Sequence, residues 1–290
     1  IRTFVDPSSP MKKYLYTLVF LLSVSSVSTG QISSCCQKSA EAEFSALAMN
    51  ERFAAAHLAP EAFVLENRSG SSIEFPCLDG KSGAAYLIRS IQPTRNWLLV
   101  IHEWWGLNDH IRKEAEQLQQ DLVNVNVLAV DLYDGRLAET PAVAQQLMSG
   151  LEEARAKAIL NGAIQYMGSD ARIQTMGWCM GGGWSLKSAL MAGKQSSGCV
   201  VYYGMPEKDV TRLKSLQSDV LFIFAKKDAW INQAVLKEFE TNMKSAGKKL
   251  TVLSYEADHA FANPSNPKFD KKAASEARKQ AIAYMKKHLK

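Results

Sequence analysis

Three side chains that could together carry out acyl transfer follow three apolar segments of the chain. Cys179 lies in the stretch GWCMGGGW, Asp228 follows the segment VLFIFA, and His259 follows the segment LTVLSY. An imidazole can activate a thiol for attack on a carbonyl carbon, and a carboxylate can hold that imidazole in the productive orientation. These residue types, in this order, predict covalent chemistry on a small ester, lactone or thioester.

The glycines around Cys179 indicate how the thiol would be displayed. G-x-C-x-G between a strand and a helix is the pattern of a nucleophile elbow, in which strand and helix pass so closely that only small neighbours fit. The helix that follows would direct its first amide groups and positive dipole end at the sulfur, so we expect a lowered thiol pKa. An isolated G-x-C-x-G is often an ordinary turn, but the later Asp228 and His259 favour the catalytic interpretation.

The elements that would position these side chains are predicted from hydrophobic patterns. Apolar strands alternate with amphipathic helices, which predicts an α/β fold with a mostly parallel central sheet and helices on both faces. Ligands of such sheets bind beyond the carboxyl ends of the strands, where Cys179, Asp228 and His259 would all lie. The predicted strands are 84–89, 97–101, 125–130, 171–177, 199–204, 220–225 and 250–255, and the predicted helices are 109–122, 141–167, 183–193, one helix between the last two strands, and about 270–289.

The same patterns set the expected domain boundaries. We expect one α/β domain over residues 70–290, because no linker rich in proline, glycine or serine interrupts it. Residues 31–69 predict a helical lead-in, in which apolar residues such as Phe44 and Phe53 recur at helical spacing.

Six segments in a fixed order extend this interpretation. They are HEWWGLNDHIR (102–112), VDLYDG (130–135), GWCMGG (177–182), VVYYG (200–204), KKDAWI (226–231) and DHAFANP (258–264). Together they resemble the dienelactone hydrolases, thiol-dependent members of the α/β-hydrolase fold, over about residues 70–288. The resemblance implies a hydrolase that acts on small esters or lactones.

The resemblance also assigns roles to individual residues. Cys179 would attack the carbonyl carbon, His259 would act first as base and then as acid, and Asp228 would orient His259 and stabilise its charged form. Glu103 matches the family's glutamate, which lies beside the resting cysteine and takes part in forming the thiolate. A buried structural carboxylate is the alternative for Glu103.

Two binding features follow from the resemblance as well. The backbone N–H groups of Trp104 and Met180 would bind the oxyanion. The residues expected to contact the substrate are Trp178, Tyr133, Phe261 and Asn263.

One of these positions departs from the family's pattern. Asn263 stands where the best-known members carry an arginine that binds the carboxylate of dienelactone, and residues 141–151 supply no arginine either. An asparagine does not replace a planar, bidentate guanidinium group. We therefore expect neutral esters or lactones as substrates, with Arg136 or Arg155 as the alternative source of a cation.

Other polar residues have structural interpretations. Asp131 precedes the nucleophile in the chain and is predicted to shape a strand-end loop, and His102 is predicted to support the end of its strand. The remaining histidines, His57, His110 and His288, are predicted to be surface or packing residues.

Two other functions remain open from the sequence. A member of this fold could keep the pocket for small-molecule binding without turnover, and a peptidase could use the same acyl chemistry. The intact set of Cys179, Asp228 and His259 argues against loss of turnover. The chain also has no inserted segment large enough for the lid domain or extended cleft that a peptidase needs.

The charge distribution does not indicate a nucleic-acid partner. The 290-residue chain is 47% hydrophobic and has a formal net charge of +5, with basic residues scattered apart from a lysine-rich C-terminal helix. A solvated helix face explains those lysines. The five cysteines include no CxxC pair, so we predict neither a metal site nor a cofactor. The oligomeric state and the pairing of Cys35, Cys36 and Cys77 are left open.

Residues 11–30 have the pattern of an export signal. Two lysines after Met11 are followed by an apolar run that becomes serine-rich, and then by small residues suited to cleavage. The apolar run is shorter than the roughly 20 residues that span a bilayer, so we expect no membrane-spanning segment in the mature chain.

We accordingly predict export to the periplasm, with residues 1–10 as upstream sequence. The mature protein should begin at or after Gln31, which N-terminal sequencing would test. Lipid attachment at Cys35 is the alternative to a freely soluble product.

Overall fold

The structure is a computed structural model, and it describes residues 39–264 and 266–289. Residues 11–30, Cys35 and Cys36 lie outside the described residues, so export and lipid attachment stay predictions. Within the described ranges, no helix combines the length and apolar character needed to cross a membrane.

The described residues form one mixed sheet of eight strands. The strands are β1 (Ser71–Pro76), β2 (Ser82–Ile88), β3 (Asn96–Ile101), β4 (Asn126–Asp131), β5 (Arg172–Trp178), β6 (Ser196–Tyr202), β7 (Val220–Ala225) and β8 (Leu250–Tyr255). Their order across the sheet is β1-β2-β4-β3-β5-β6-β7-β8. β1 pairs with β2 and β2 with β4 in antiparallel fashion, whereas the pairs from β4 across to β8 are parallel. The mostly parallel sheet expected from the sequence is confirmed.

The central strands are buried along their whole length. Every residue of β3, β4 and β7 is buried, because in a parallel sheet packed elements cover both faces. β1 is different, since most of its residues are exposed. It therefore lacks an apolar run, and the sequence did not predict it.

Nine α-helices lie within the described residues. They are α1 (Ala40–Ala48), α2 (Glu51–Ala55), α3 (Asp109–Leu122), α4 (Pro141–Ser149), α5 (Glu153–Met167), α6 (Met180–Ala192), α7 (Val210–Ser215), α8 (Gln233–Ser245) and α9 (Lys271–His288). Side chains just before several helices accept hydrogen bonds from first-turn N–H groups, which explains where those helices begin. These capping residues include Asn108, Thr140, Asn232 and Asp270.

Three helix predictions differ from the structure. The helical region predicted at 141–167 forms two helices, because α4 ends at Ser149 with Gly150 as its cap and α5 begins at Glu153. α7 has only six residues, too few for a recognisable apolar period. α6 begins at Met180 rather than at residue 183, because its three consecutive glycines have low helix propensity and conceal the first turn in the sequence.

The described part of the lead-in belongs to the same compact unit as the sheet. Phe44 and Phe53, on α1 and α2, are almost fully buried in the common core. A buried ion pair joins the two parts, because Lys187 Nζ on α6 lies 3.2 Å from Glu41 Oε2 on α1. The lead-in is thereby attached to the helix that follows Cys179.

Candidate active site

Cys179 occupies a strained turn between β5 and α6. β5 ends at Trp178 and α6 begins at Met180, so the chain changes direction at Cys179 itself. Its φ of 57° and ψ of −120° are rare for a residue with a side chain and cost roughly 1–3 kcal/mol. The sharp strand-to-helix turn predicted from the glycine pattern is confirmed.

Two glycines allow this turn to close. A Cβ atom at Gly177 would overlap the carbonyl group of Gly181, and a Cβ atom at Gly181 would overlap the carbonyl oxygens of Ile101 and His102. These neighbours are backbone atoms, so no side-chain rotation could relieve the overlap. The turn at Cys179 therefore depends on the absence of side chains on both sides of it.

The structure brings Cys179, Asp228 and His259 together. Asp228 lies in the loop after β7, and His259 lies in the loop after β8. His259 Nδ1 is 2.5 Å from Asp228 Oδ2, and His259 Nε2 is 3.3 Å from Cys179 Sγ. The backbone N–H groups of Trp230 and Ile231 donate to Asp228 Oδ1 at 2.8 and 3.0 Å and hold the carboxylate in place. The imidazole thus connects a fixed carboxylate to the thiol.

Burial and charge act in opposite directions on this cluster. Burial disfavours a charged His259, but Asp228 and Cys179 raise the pKa of its imidazole well above the ordinary value. Burial raises the pKa of the Cys179 thiol, and the opposing influence of His259 does not cancel that effect. The lowered thiol pKa expected from the start of α6 is therefore wrong for this closed arrangement, in which Cys179 is only 1% exposed.

Glu103 is a buried carboxyl group in the loop after β3. Asn263 Nδ2 donates to its Oε2 atom at 2.8 Å. Burial raises the pKa of Glu103 to about 7, although Asn263 and His259 partly oppose this. A carboxyl group with such a pKa can take up and release a proton near neutral pH.

The raised pKa of Glu103 predicts a measurable effect on stability. Between pH 5 and pH 8 an unfolded glutamate is ionised, whereas Glu103 in the folded protein keeps its proton up to about pH 7. The unfolded state then binds fewer protons, so stability falls as pH rises. We expect the free energy of unfolding of the wild type to fall by about 2–3 kcal/mol over this range relative to Glu103→Gln. Denaturant titrations at both pH values would measure the difference, and identical pH dependence would contradict it.

Two backbone N–H groups are predicted to bind an oxyanion. One belongs to Met180, the residue directly after Cys179, and the other belongs to Trp104 in the loop after β3. The Met180 backbone N–H slightly opposes the rise that burial causes in the pKa of the Cys179 thiol. The Trp104 backbone N–H, in the loop after β3, donates to no acceptor among the described residues. Both N–H groups therefore remain candidates for a carbonyl oxygen that develops charge.

A cavity of about 540 Å³ adjoins the cluster. Glu103, Trp178 and Asn263 line it, whereas Cys179 and His259 do not and are 1% and 4% exposed. The sulfur is therefore closed from solvent, whereas Glu103 and Trp178 border the cavity.

Charged side chains of both signs line the rest of the cavity. Arg278 is ion-paired with Glu114 at 3.1 Å, and Lys113 lies 4.9 Å from the ring centroid of Phe63. Among the described lining residues, the charged ones are Glu61, Glu103, Glu114, Lys113, Lys271 and Arg278.

Of the four residues expected to contact substrate, two lie away from the cavity. Tyr133 is fully buried, and its hydroxyl donates to Met180 Sδ at 3.2 Å, so it supports the turn instead. Phe261 is also fully buried and packs against Tyr203 and Tyr255. Phe261 has no polar side-chain atom, and the Tyr133 hydroxyl already has a hydrogen-bond partner, so both rings can be buried without contact with solvent.

Neither arginine considered as a substitute cation lines the cavity. Arg155 is paired with Asp79 and Asp134, and Arg136 Nε donates to the carbonyl oxygen of Tyr133 at 3.0 Å. The structural interpretations of two other residues are confirmed. Asp131 accepts hydrogen bonds within its strand-end loop, and His102 Nε2 accepts one from the Leu132 backbone N–H at 3.0 Å.

The lead-in contributes two aromatic rings that cover the cluster. Phe53 and His57 have ring centroids 5.8 and 5.2 Å from that of His259, and both rings also pack on Trp104. His57 is only 2% exposed, so of the two predicted alternatives, surface or packing, the structure shows packing, against Trp104 and His259. Burial and the neighbouring His259 lower the pKa of His57 to about 3, so its imidazole is neutral.

The spacing between Phe53 and His57 is a signal in the sequence for the burial of His57. Phe53 and His57 are four residues apart, a spacing that places them on one face of a helical turn. Because Phe53 is one of the apolar residues that recur at helical spacing in the lead-in, the same spacing places His57 beside it.

Comparisons with known proteins give the family and the fold of the chain. The model of the family described as "Dienelactone hydrolase family" matches residues 84–289. A carboxymethylenebutenolidase homologue from Aquifex aeolicus is 25% identical over 238 residues, which cover 76% of this chain and 100% of that protein.

Solved structures show the same fold. A dienelactone hydrolase homologue from Klebsiella pneumoniae is 23% identical with a TM-score of 0.64, and the match covers 74% of this chain and 98% of that one. An esterase from Pyrococcus furiosus is 13% identical with a TM-score of 0.58, and the match covers 80% of this chain and 100% of that one. The mixed eight-stranded sheet of the described residues is thus an α/β-hydrolase fold.

Proposed function

Because the chain belongs to the dienelactone hydrolase family, a family of ester and lactone hydrolases, we propose that it hydrolyses small neutral esters or lactones through a Cys179–His259–Asp228 triad. The observation that carries this proposal is the continuous contact from Asp228 through His259 to the Cys179 sulfur at 2.5 and 3.3 Å. The position of that sulfur on a strained turn at the end of β5 supports it further.

The first half of the proposed reaction acylates Cys179. Its thiol proton reaches His259, with Glu103 as an intermediate acceptor, and the thiolate attacks the carbonyl carbon. The oxyanion forms hydrogen bonds with the backbone N–H groups of Met180 and Trp104. The C–O bond then breaks, His259 gives its proton to the leaving alkoxide, and a thioester remains on the sulfur.

The second half regenerates the thiol. His259 takes a proton from water, and the hydroxide attacks the thioester carbonyl. The C–S bond then breaks, His259 returns its proton to the Cys179 sulfur, and the carboxylic acid leaves. Asp228 stays ionised throughout and stabilises the imidazolium, because it accepts hydrogen bonds from both His259 and the backbone.

A hydrolysis panel tests the proposal directly. Neutral lactones, carboxylated lactones, aryl esters and peptides would be compared with the wild type and with Cys179→Ala as the control. Turnover of neutral esters or lactones that disappears in Cys179→Ala is the expected result. Peptide cleavage would support the peptidase alternative, and binding without turnover would support a non-catalytic member of the fold.

Substrate charge provides a sharper prediction. A buried carboxylate without a cationic partner costs several kcal/mol, and Asn263 at this position already donates to the Glu103 carboxyl group. We expect kcat/KM for neutral lactones to exceed that for carboxylated dienelactone by at least about tenfold, which corresponds to about 1.4 kcal/mol.

Two variants of Asn263 test whether the missing positive charge at this position causes the preference for neutral substrates. Asn263→Arg should narrow the difference between neutral and carboxylated substrates, whereas Asn263→Gln, which adds length without charge, should not. Efficient hydrolysis of carboxylated dienelactone by the wild type would contradict the prediction and indicate another cation, such as Lys271 of the cavity wall.

A further inference from the structure

Three potential metal-ligand atoms converge beside the nucleophile. The ligand atoms of His57, Cys179 and His259 all lie within 4.8 Å of one another, and the three residues are buried. The proposed triad accounts for Cys179 and His259. It does not account for His57, which lies before the residues that match the family model, 84–289.

Hydrogen bonds determine which nitrogen of His57 is available. Its Nδ1 atom lies 2.6 Å from the carbonyl oxygen of Phe53. A carbonyl oxygen only accepts hydrogen bonds, so Nδ1 carries the proton and Nε2 carries a lone pair. His57 Nε2 is buried and has no hydrogen-bond partner among the described residues. A buried lone pair without a donor is costly, which suggests a ligand.

His259 presents its nitrogen in the same way. Its Nδ1 proton is held by Asp228, so its Nε2 lone pair is directed at Cys179 Sγ, 3.3 Å away. Metal-binding histidines characteristically donate the other ring N–H to a carboxylate or a backbone carbonyl. His57 donates its Nδ1 proton to the backbone carbonyl of Phe53, and His259 donates its Nδ1 proton to the carboxylate of Asp228.

Two imidazole nitrogens and one thiolate suit a particular class of ion. Imidazole and thiolate ligands favour Zn²⁺, which binds nitrogen at about 2.0 Å and sulfur at about 2.3 Å. Tetrahedral geometry then separates the ligand atoms by roughly 3.3–3.6 Å. The 3.3 Å between His259 Nε2 and Cys179 Sγ already fits this geometry. All three ligand atoms lie within 4.8 Å of one another, so the His57 nitrogen would have to move closer to the other two by no more than about 1 Å.

We propose that His57, Cys179 and His259 form a Zn²⁺ site that reversibly switches the enzyme off. The ion binds the two Nε2 lone pairs and the Cys179 sulfur, whose proton is released to solvent, and a water molecule completes the tetrahedron. No electron transfer is involved. The bound ion occupies both nucleophile and base, so inhibition rests on the proposed triad, whereas binding does not.

Metal binding is tested without substrate. Equilibrium dialysis of the folded protein against Zn²⁺ should show one ion per chain, and Co²⁺ should give a thiolate-to-metal charge-transfer band. His57→Gln should weaken Zn²⁺ binding at least tenfold, and Cys179→Ala should abolish the Co²⁺ band. His288→Gln, on α9 and paired with Asp219, is the matched histidine control and should bind like the wild type.

Inhibition is tested separately. Zn²⁺ should inhibit hydrolysis by the wild type, and a chelator should restore it. Equal Zn²⁺ affinity in the wild type and His57→Gln would overturn the proposal, as would absence of stoichiometric binding. If His57→Gln does not fold, as judged by circular dichroism, His57→Phe provides the same comparison, because its ring fills the site without a ligand atom. An inactive protein that still binds Zn²⁺ through His57 would refute the proposed function and leave the metal site intact.

Discussion

Cys179→Ala and His259→Ala are each expected to lower kcat for a neutral aryl ester by at least about 1,000-fold. Each change removes one half of the nucleophile–base pair, whose atoms lie 3.3 Å apart. The double variant should lose little more than either single variant, because residues that act as a unit have strongly non-additive effects. Steady-state kinetics of the three variants would measure this.

Folding must be separated from catalysis in that experiment. In His259→Ala, Asp228 keeps the hydrogen bonds from Trp230 and Ile231, so its buried carboxylate is not left without donors. Cys77→Ala is the control, since this second buried thiol lies outside the site. Multiplying losses in the double variant, or an equal loss in Cys77→Ala, would contradict the triad.

Gly181→Ala is expected to reduce the free energy of unfolding by about 3 kcal/mol or more. The new Cβ atom would overlap the carbonyl oxygens of Ile101 and His102, so β3 and α6 would have to separate. Alanine favours a helix over glycine by only about 1 kcal/mol, which does not offset the overlap. For a chain of this size the melting temperature should fall by about 6–12 °C.

A second glycine provides the control for Gly181. Gly150 just after α4 has a right-handed backbone with φ of −88° and lies in an exposed position. A Cβ atom there would lie 3.0 Å from the Gln146 carbonyl oxygen rather than the 2.4 Å found at Gly181, so Gly150→Ala should lower the melting temperature far less. Equal melting temperatures for Gly181→Ala and the wild type would show that the turn tolerates a side chain. Hydrolysis should fall with stability in Gly181→Ala, because the loop that follows β3 carries Glu103 and Trp104.

The burial of Cys179 has a consequence for access. Cys179 is 1% exposed, the rings of Phe53 and His57 pack on its neighbour His259, and Glu103 and Trp178 border the cavity that Cys179 does not line. A substrate that enters the cavity therefore has to displace side chains before it contacts the thiol. The raised pKa of the buried thiol also keeps Cys179 protonated until that happens.

Much of the fold was predictable because the central strands are apolar throughout. The segment 220–225 matches β7 residue for residue, since continuous burial leaves a continuous apolar run. The segment 250–255 also matches β8, an edge strand whose residues are half-buried or exposed and whose pattern is only partly apolar. β1 and α7 were missed for the opposite reason, because an exposed edge strand and a six-residue helix bury too few residues to leave a pattern.

The sequence by itself determined which residues at the ends of strands come together around Cys179. Cys179, Asp228 and His259 each follow a parallel strand, and parallel strands end at one edge, so chain order was enough to bring them together. Tertiary structure alone decided the rest. Tyr133 and Phe261 are buried in the core, and Asn263 is hydrogen-bonded to Glu103. Burial raises the pKa of the Cys179 thiol.

The position of His57 depended most on tertiary structure. It lies more than 100 residues before Cys179 in the chain and comes from outside the sheet, so no strand end or motif spacing connects the two. Only the packing of α1 and α2 onto the core brings its ring to within 5.2 Å of His259. Local sequence patterns record the period of an element and which of its faces is buried, whereas the surface that the face meets is set by contacts between distant parts of the chain.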